Sequence, residues 1–181
     1  MIDTFFQEIN KELQSALTTK GHPFKYFTLA TTGEENNARL RTVVLRNVSS
    51  DLVLTFYTDG RSKKVGHILD HNQVSLLFYD PTKLLQLTIE GVARINTDQK
   101  IKQELWKDVP TKSHKAYTTT DAPGSGIQNP DDIEYLKDKD FFTVIHVEAR
   151  KVEYLKLNEP HHLRVAFQKE DGMWIGQYLV P

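Results

Sequence analysis

The stretch from residue 56 to 72, FYTDGRSKKVGHILDHN, concentrates the side chains best suited to chemistry. From Ser62 onward it has the pattern of a short amphipathic helix, with Val65, Ile68 and Leu69 on one side. Its opening carries Arg61, Lys63 and Lys64, where the helix dipole is already positive. Each cation in a first helical turn costs about 0.3–1 kcal/mol. Ser62 is a good N-cap residue, and a strand-turn-helix junction leaves backbone N–H groups pointing outward. With the Thr58 and Ser62 hydroxyls, Lys63 and Lys64 would form a receptor for a dianionic phosphate, which would turn the penalty into attraction. The alternative is that the lysines point into water, where screening makes the penalty small.

A second basic feature is RLRTVVLR, residues 39–46. In a regular strand Arg41, Val43 and Leu45 share one face, and Thr42, Val44 and Arg46 the other. Arg41 and Arg46 therefore serve one ligand only if it lies along the strand or one of them sits at a strand end. Otherwise they are two surface arginines. His67 and His71 are spaced i, i+4 beside Asp70, and His161 and His162 are adjacent, but no third ligand or HExxH signature accompanies them. No metal site is expected. PGSG at 123–126 lacks the spacing of a phosphate-binding loop, and no GxSxG elbow is present.

The elements that must position these groups are legible from composition and period. Apolar residues make up 39% and charged residues 26%, with a formal net charge of −1, an ordinary balance for one globular domain spanning 1–181. This charge gives no general attraction to nucleic acid or to an anionic membrane, so any basic function must be local. Trp106, Trp174 and the tyrosines lack an RNA-binding motif and are expected in packing. There is no cysteine, which excludes disulfides and thiolate chemistry and fits a cytoplasmic setting. The start has Ile2, Phe5, Phe6, Ile9, Leu13 and Leu17 at helical spacing, and no run approaches a membrane span.

Residues 25–32, 40–47, 52–58, 73–80 and 84–95 read as strands, rich in β-branched and aromatic residues and bounded by Gly, Asn, Asp and Pro. Short connections favour antiparallel pairing. A helix is expected from about residue 98, with Ile101, Leu105 and Trp106 at helical spacing. Residues 118–132 form a loop by composition, and a loop of that length is usually functional or mobile. Strands return at 141–157, at LRVAFQKE and at MWIGQYLVP. The expected fold is mainly β (α+β): a closed or nearly closed antiparallel β-barrel of about six to eight strands with peripheral helices, which the resemblance described next makes a split β-barrel.

Taken together, RTVVLR, FYTDGRSKK, VSLLFYDP and LQLTIEGVARI, in this order and spacing, resemble the flavin-binding core of the pyridoxamine 5′-phosphate oxidase superfamily. The resemblance covers residues 26–96 and is traceable to the terminal WIGQYLVP. It implies an FMN-binding split barrel. Ser62, Lys63 and Lys64 stand where that family binds the FMN phosphate, and Arg41 resembles its phosphate-binding arginine. Val43, Val44, Leu45 and Arg46 match the strand running along the flavin, with Arg46 replacing a usual lysine. Tyr57 and Thr58 match a cofactor-contacting pair, and Gln86 a glutamine beside the ring. Tyr154 falls where a flavin-contacting tryptophan is expected, and Arg164 where an arginine is. The resemblance also implies a homodimer with FMN at the subunit interface.

Several substrate-binding positions of the oxidase depart from its pattern. Val109 stands where an arginine is expected, before a matching Pro110 and Ser113. Pro160 replaces another arginine, although His162 keeps a nearby histidine. A Gln-Ser pair given by the second subunit falls near Ala122 and Pro123, and Tyr178 replaces the arginine of the terminal motif. The resemblance therefore implies an FMN-dependent oxidoreductase on a different small molecule, with hydride passing from substrate to flavin. The alternatives are a non-catalytic FMN-binding module, the true pyridoxamine 5′-phosphate oxidase, and a related barrel holding haem or deazaflavin.

Overall fold

The computed structural model describes residues 2–181. Helix α1 (Asp3–Thr18) is followed by strands β1 (Tyr26–Thr32), β2 (Ala38–Val44), β3 (Asn47–Val48) and β4 (Val53–Asp59). Helix α2 (Lys63–Asp70) leads to β5 (Gln73–Asp80) and β6 (Leu85–Ile95). Helices α3 (Gln99–Lys107) and α4 (Thr111–His114) precede β7 (Phe142–Lys156), β8 (Leu163–Glu170) and β9 (Met173–Leu179). All pairings between these strands are antiparallel.

The strands form one sheet in the order β2-β1-β5-β6-β7-β4-β3, with β8 added to β7 and β9 to β8. The path ends, β2 and β3, are joined in the chain by Leu45 and Arg46 alone. Arg46 N donates to Thr55 O at 2.9 Å across that junction. The sheet must therefore curl back on itself, giving the split-barrel fold, antiparallel in every pairing, with four α-helices among the described residues. The nine strands include the two-residue β3, a pairing too short to show in residue patterning.

The strand β7 is the hub. One edge pairs with β6 along its length; the other serves β4 with its first half and β8 with its second. The register between β6 and β7 shifts at Glu90 and Gly91. A Cβ on Gly91 would stand 2.4 Å from Glu148 O, so the bulge needs glycine for close backbone approach.

Alternation builds the core. Phe27 and Leu29 on β1, Val43 on β2, Leu54 and Phe56 on β4, and Leu76 and Phe78 on β5 all point inward. The Phe27 and Phe78 rings stack 4.8 Å apart. Helix α1 covers one side through buried Ile9, Leu13 and Ala16, with Phe6 against Phe167 and Trp174. A smaller cluster of Val109, Tyr117, Phe142 and Val144 packs with Tyr57, Leu105 and Trp106. It seats α3 and α4 on the start of β7.

Candidate functional site

Strand β4 and helix α2 meet at the turn Gly60–Ser62, and the groups there fall into a cationic cradle. Thr58 is the last core-facing residue of β4, and Ser62 follows the turn; both are buried. Lys64 Nζ donates to Thr58 Oγ1 at 2.9 Å and to Ser62 Oγ at 3.1 Å, and the two hydroxyls lie 3.2 Å apart. An ammonium has three hydrogens, so one remains for a ligand. Ser62 occupies the N-cap position, yet its hydroxyl makes no cap bond to the helix. It is turned to Lys64 instead, and the N–H groups of the first turn are left without that side-chain partner.

Arg41 comes to the same place from β2. It shares a face with Val43 and Leu45, and Nη1 donates to Leu29 O (3.2 Å), Arg39 O (2.8 Å) and Thr31 Oγ1 (2.7 Å). That leaves the Thr31 hydroxyl hydrogen for His67 Nδ1 at 3.0 Å. Burial, and then the charge of Arg41, push Lys64 below the usual lysine range, while Asp59 pulls the other way. Burial and Arg39 lower Arg41. Among the described residues neither Arg41 nor Lys64 forms an ion pair. Two half-buried cations facing one another without a carboxylate are costly unless an anion joins them. Lys63 is exposed on the rim of a neighbouring polar cleft with Glu34, His67 and Asp70.

Arg61 has a different task. Its guanidinium grips buried Asp59 through Nη2–Oδ2 (2.7 Å) and Nε–Oδ1 (3.1 Å), and donates to the carbonyls of Thr119 (2.8 Å) and Thr120 (2.9 Å). It also lies 3.3 Å from the centre of the Phe141 ring. One of the three cations of the turn therefore pins the loop after Tyr117 to the cradle. Leu69, expected to join Val65 and Ile68 on the apolar side of α2, is 72% exposed; only Val65 and Ile68 are buried.

The other parity of β2 and β4 opens elsewhere. Val43 and Leu45 are buried in the core, whereas Val44 and Arg46 face outward and are half-buried. The Arg46 guanidinium lies 5.5 Å from the Tyr57 ring centroid, at a cleft of about 370 Å³ that Lys25 and Asp108 also line. Thr58 and Tyr57 thus look to opposite sides of the end of β4, one to the cradle and one to the cleft.

Gln86 pairs with Tyr79 on one side and Leu155 on the other, and Leu155 pairs with Arg164. Gln86 and Arg164 therefore share a row on the outer face, and Arg164 is ion-paired to Glu153 at 2.7 Å. Tyr154 points the other way. It is fully buried beneath α1, 5.5 Å from the Phe5 ring, with burial and Glu8 raising its hydroxyl above the ordinary range. The residue of β7 that stands between Gln86 and Arg164 is Leu155.

Thr31 and Lys25 escape the sequence reading, which considers His67 only as half of an i, i+4 metal pair and not as a neighbour of the cradle. Thr31 carried a signal: it continues the core-facing positions Phe27 and Leu29, where a polar residue needs a partner. Lys25 carried none, because it is an exposed-type residue before a strand. The described residues contain no cluster of three or more His, Cys, Asp or Glu suited to a metal ion.

Known proteins resemble this chain at two levels. A family model for the pyridoxamine 5′-phosphate oxidase FMN-binding domain matches residues 5–97, just over half of the chain. A pyridoxine/pyridoxamine 5′-phosphate oxidase from Acinetobacter baylyi is 26% identical over 99% of this chain and 86% of its own length. A pyridoxamine 5′-phosphate oxidase-related, FMN binding protein from Nostoc punctiforme superposes with a TM-score of 0.79 at 22% identity, covering 97% of this chain and 96% of its own. PhzG from Burkholderia lata, in complex with tetrahydrophenazine-1-carboxylic acid, superposes at 0.81 with 15% identity, covering 97% and 92%. At these identities the structural likeness shows the fold, whereas the family model covers β1 to β6 and the whole cradle. The chain belongs to the pyridoxamine 5′-phosphate oxidase family, by its FMN-binding domain.

Proposed function

We propose that the protein binds FMN and is an FMN-dependent oxidoreductase acting on a small molecule. The observation that carries this reading is the cradle: Arg41 and Lys64, half-buried and without a carboxylate partner among the described residues, with the Thr58 and Ser62 hydroxyls on the Lys64 ammonium at the start of α2. Two cations, hydroxyls and a helix N-terminus without a side-chain cap suit a phosphate of about −2 charge. Lys63 stands at the rim, where it adds to the attraction without burial. The segment Val43 to Arg46 offers the flavin ring a path out from the cradle, with Tyr57 and Gln86 as further contacts. Tyr154 would act only indirectly, through α1, and Arg164 from the outer face.

When bound, FMN supplies hydride acceptance; the protein's own groups hold the phosphate, orient the ring and select the substrate. Val109 is buried in the apolar cluster with Tyr117 and Phe142, so that position gives no cation to a substrate phosphate. This supports a substrate other than pyridoxamine 5′-phosphate. We further propose a single-domain cytoplasmic homodimer. No helix among the described residues is long and apolar enough to cross a membrane.

The test is the absorption spectrum of the purified protein, before and after adding FMN and a reduced nicotinamide. A yellow protein that bleaches and recovers in air supports the oxidoreductase. A yellow protein that never bleaches with any donor supports simple FMN binding, and a colourless one that ignores FMN overturns the reading.

A further inference from the structure

The outward cleft at Arg46 is electrostatically incomplete in a way that defines what fits it. Lys25 and Arg46 both line it, and among the described residues neither is ion-paired. Arg46 Nε is buried without a hydrogen-bond partner. A buried guanidinium N–H left open is expensive, and here it occurs beside a second cation. Burial, and then the Arg46 charge, push Lys25 below the usual lysine range, which is repulsion that an anion would relieve.

Among the described residues Asp108 is the one carboxylate lining the cleft, and it is ion-paired with neither cation. Two positive charges against one negative leave a net charge of about +1. That balance suits a monoanion better than a dianionic phosphate, whose second charge the Asp108 carboxylate in the same lining would oppose. The remaining wall is apolar, made by the Tyr57 ring, Val109 and Pro110. The volume, about 370 Å³, is that of a small-molecule site.

We propose that this cleft binds a small organic carboxylate with a flat apolar body, its carboxylate held by Lys25 and Arg46 and its body against Tyr57 and Val109. As the substrate subsite of an oxidoreductase it rests on the FMN reading; as a carboxylate site it does not. Lys25 is then a specificity-determining residue and Asp108 the group that discriminates against dianions.

Benzoate is the probe, with benzamide as its neutral isostere and inorganic phosphate as the dianion, each titrated calorimetrically into FMN-loaded protein so that the cradle is filled. Benzoate should bind at least 10-fold more tightly than either. Lys25→Gln should remove most of that preference, and Lys25→Arg should restore it, with FMN affinity unchanged in both. Equal binding of benzoate and benzamide, phosphate matching benzoate, or a Lys25→Gln protein that keeps the full preference would each overturn the proposal. Should the protein refuse FMN, the same titrations on the unloaded chain, with FMN uptake read separately, still decide the cleft; the two failures are therefore distinct.

Discussion

Lys64 and Arg41 are held by neutral partners only, so each retains charge for a ligand. Hydrogen bonds to charged groups contribute about 1.5–3 kcal/mol each. Lys64→Ala combined with Arg41→Ala should therefore weaken FMN by at least 100-fold, read by quenching of flavin fluorescence on titration. Unchanged affinity would place the phosphate elsewhere. His146 makes a second prediction. Asn96 Nδ2 donates to its Nε2 (3.1 Å), which leaves Nδ1–H for Thr55 Oγ1 (2.9 Å). Burial holds its pKa below the ordinary imidazole range. The folded chain then binds fewer protons than the unfolded one as pH falls below about 6.5. Stability should be full above that pH and decline below it. Urea unfolding at pH 7.5 and 5.5 should show the loss, and His146→Gln should flatten the slope by up to one proton. His67, lowered first by burial and then by Arg41, contributes a slope of the same sign.

At the level of elements, the turn between β4 and α2 and the loop at 118–136 behave as one unit. Thr120 N donates to Glu134 O and Leu136 N to Thr118 O, giving the loop an antiparallel neck. Arg61 fastens this neck to Asp59, whose side chain is 2% exposed. Arg61→Ala strands a buried carboxylate, a loss of about 3 kcal/mol, and should speed amide exchange across 118–136 while the exchange of β5 and β6 is little changed. An unaltered exchange pattern would show that the neck holds by itself. The β6–β7 bulge is a second such point. Gly91→Val places side-chain atoms against Glu148 O and should lower Tm by several degrees, since both strands belong to the sheet's centre.

For the whole molecule, one sheet face leaves large apolar groups uncovered. Tyr26, Leu40, Leu77 and Tyr79 are 60%, 67%, 39% and 48% exposed, and the registers of β1 with β2 and β5 put them on one surface. Clustered exposure of this kind marks an interaction surface, and the proposed homodimer would cover it. Sedimentation should give twice the chain mass, and Leu40→Asp with Tyr26→Asp should shift the protein toward monomer. A wild-type chain sedimenting as a monomer at micromolar concentration would count against the dimer.

Residue order alone determined the strands of the barrel other than β3, helices α1, α2 and α3, the loop after Tyr117, and the grouping of Thr58, Ser62 and Lys64 around a turn. Those depend on local period, turn chemistry and spacing over a few residues. Tertiary structure alone decided which cation serves which partner. Arg61 sits beside Ser62 in the chain, yet its partners are Asp59 and carbonyls nearly sixty residues on. Tyr154 against Leu155 was decided by the facing of β7, which inverts with a one-residue slip. Lys25 and Arg46 meet because the antiparallel ladder of β1 with β2 runs on past Tyr26 and Val44, with Leu45 N donating to Lys25 O, a register between separate segments that local pattern does not encode.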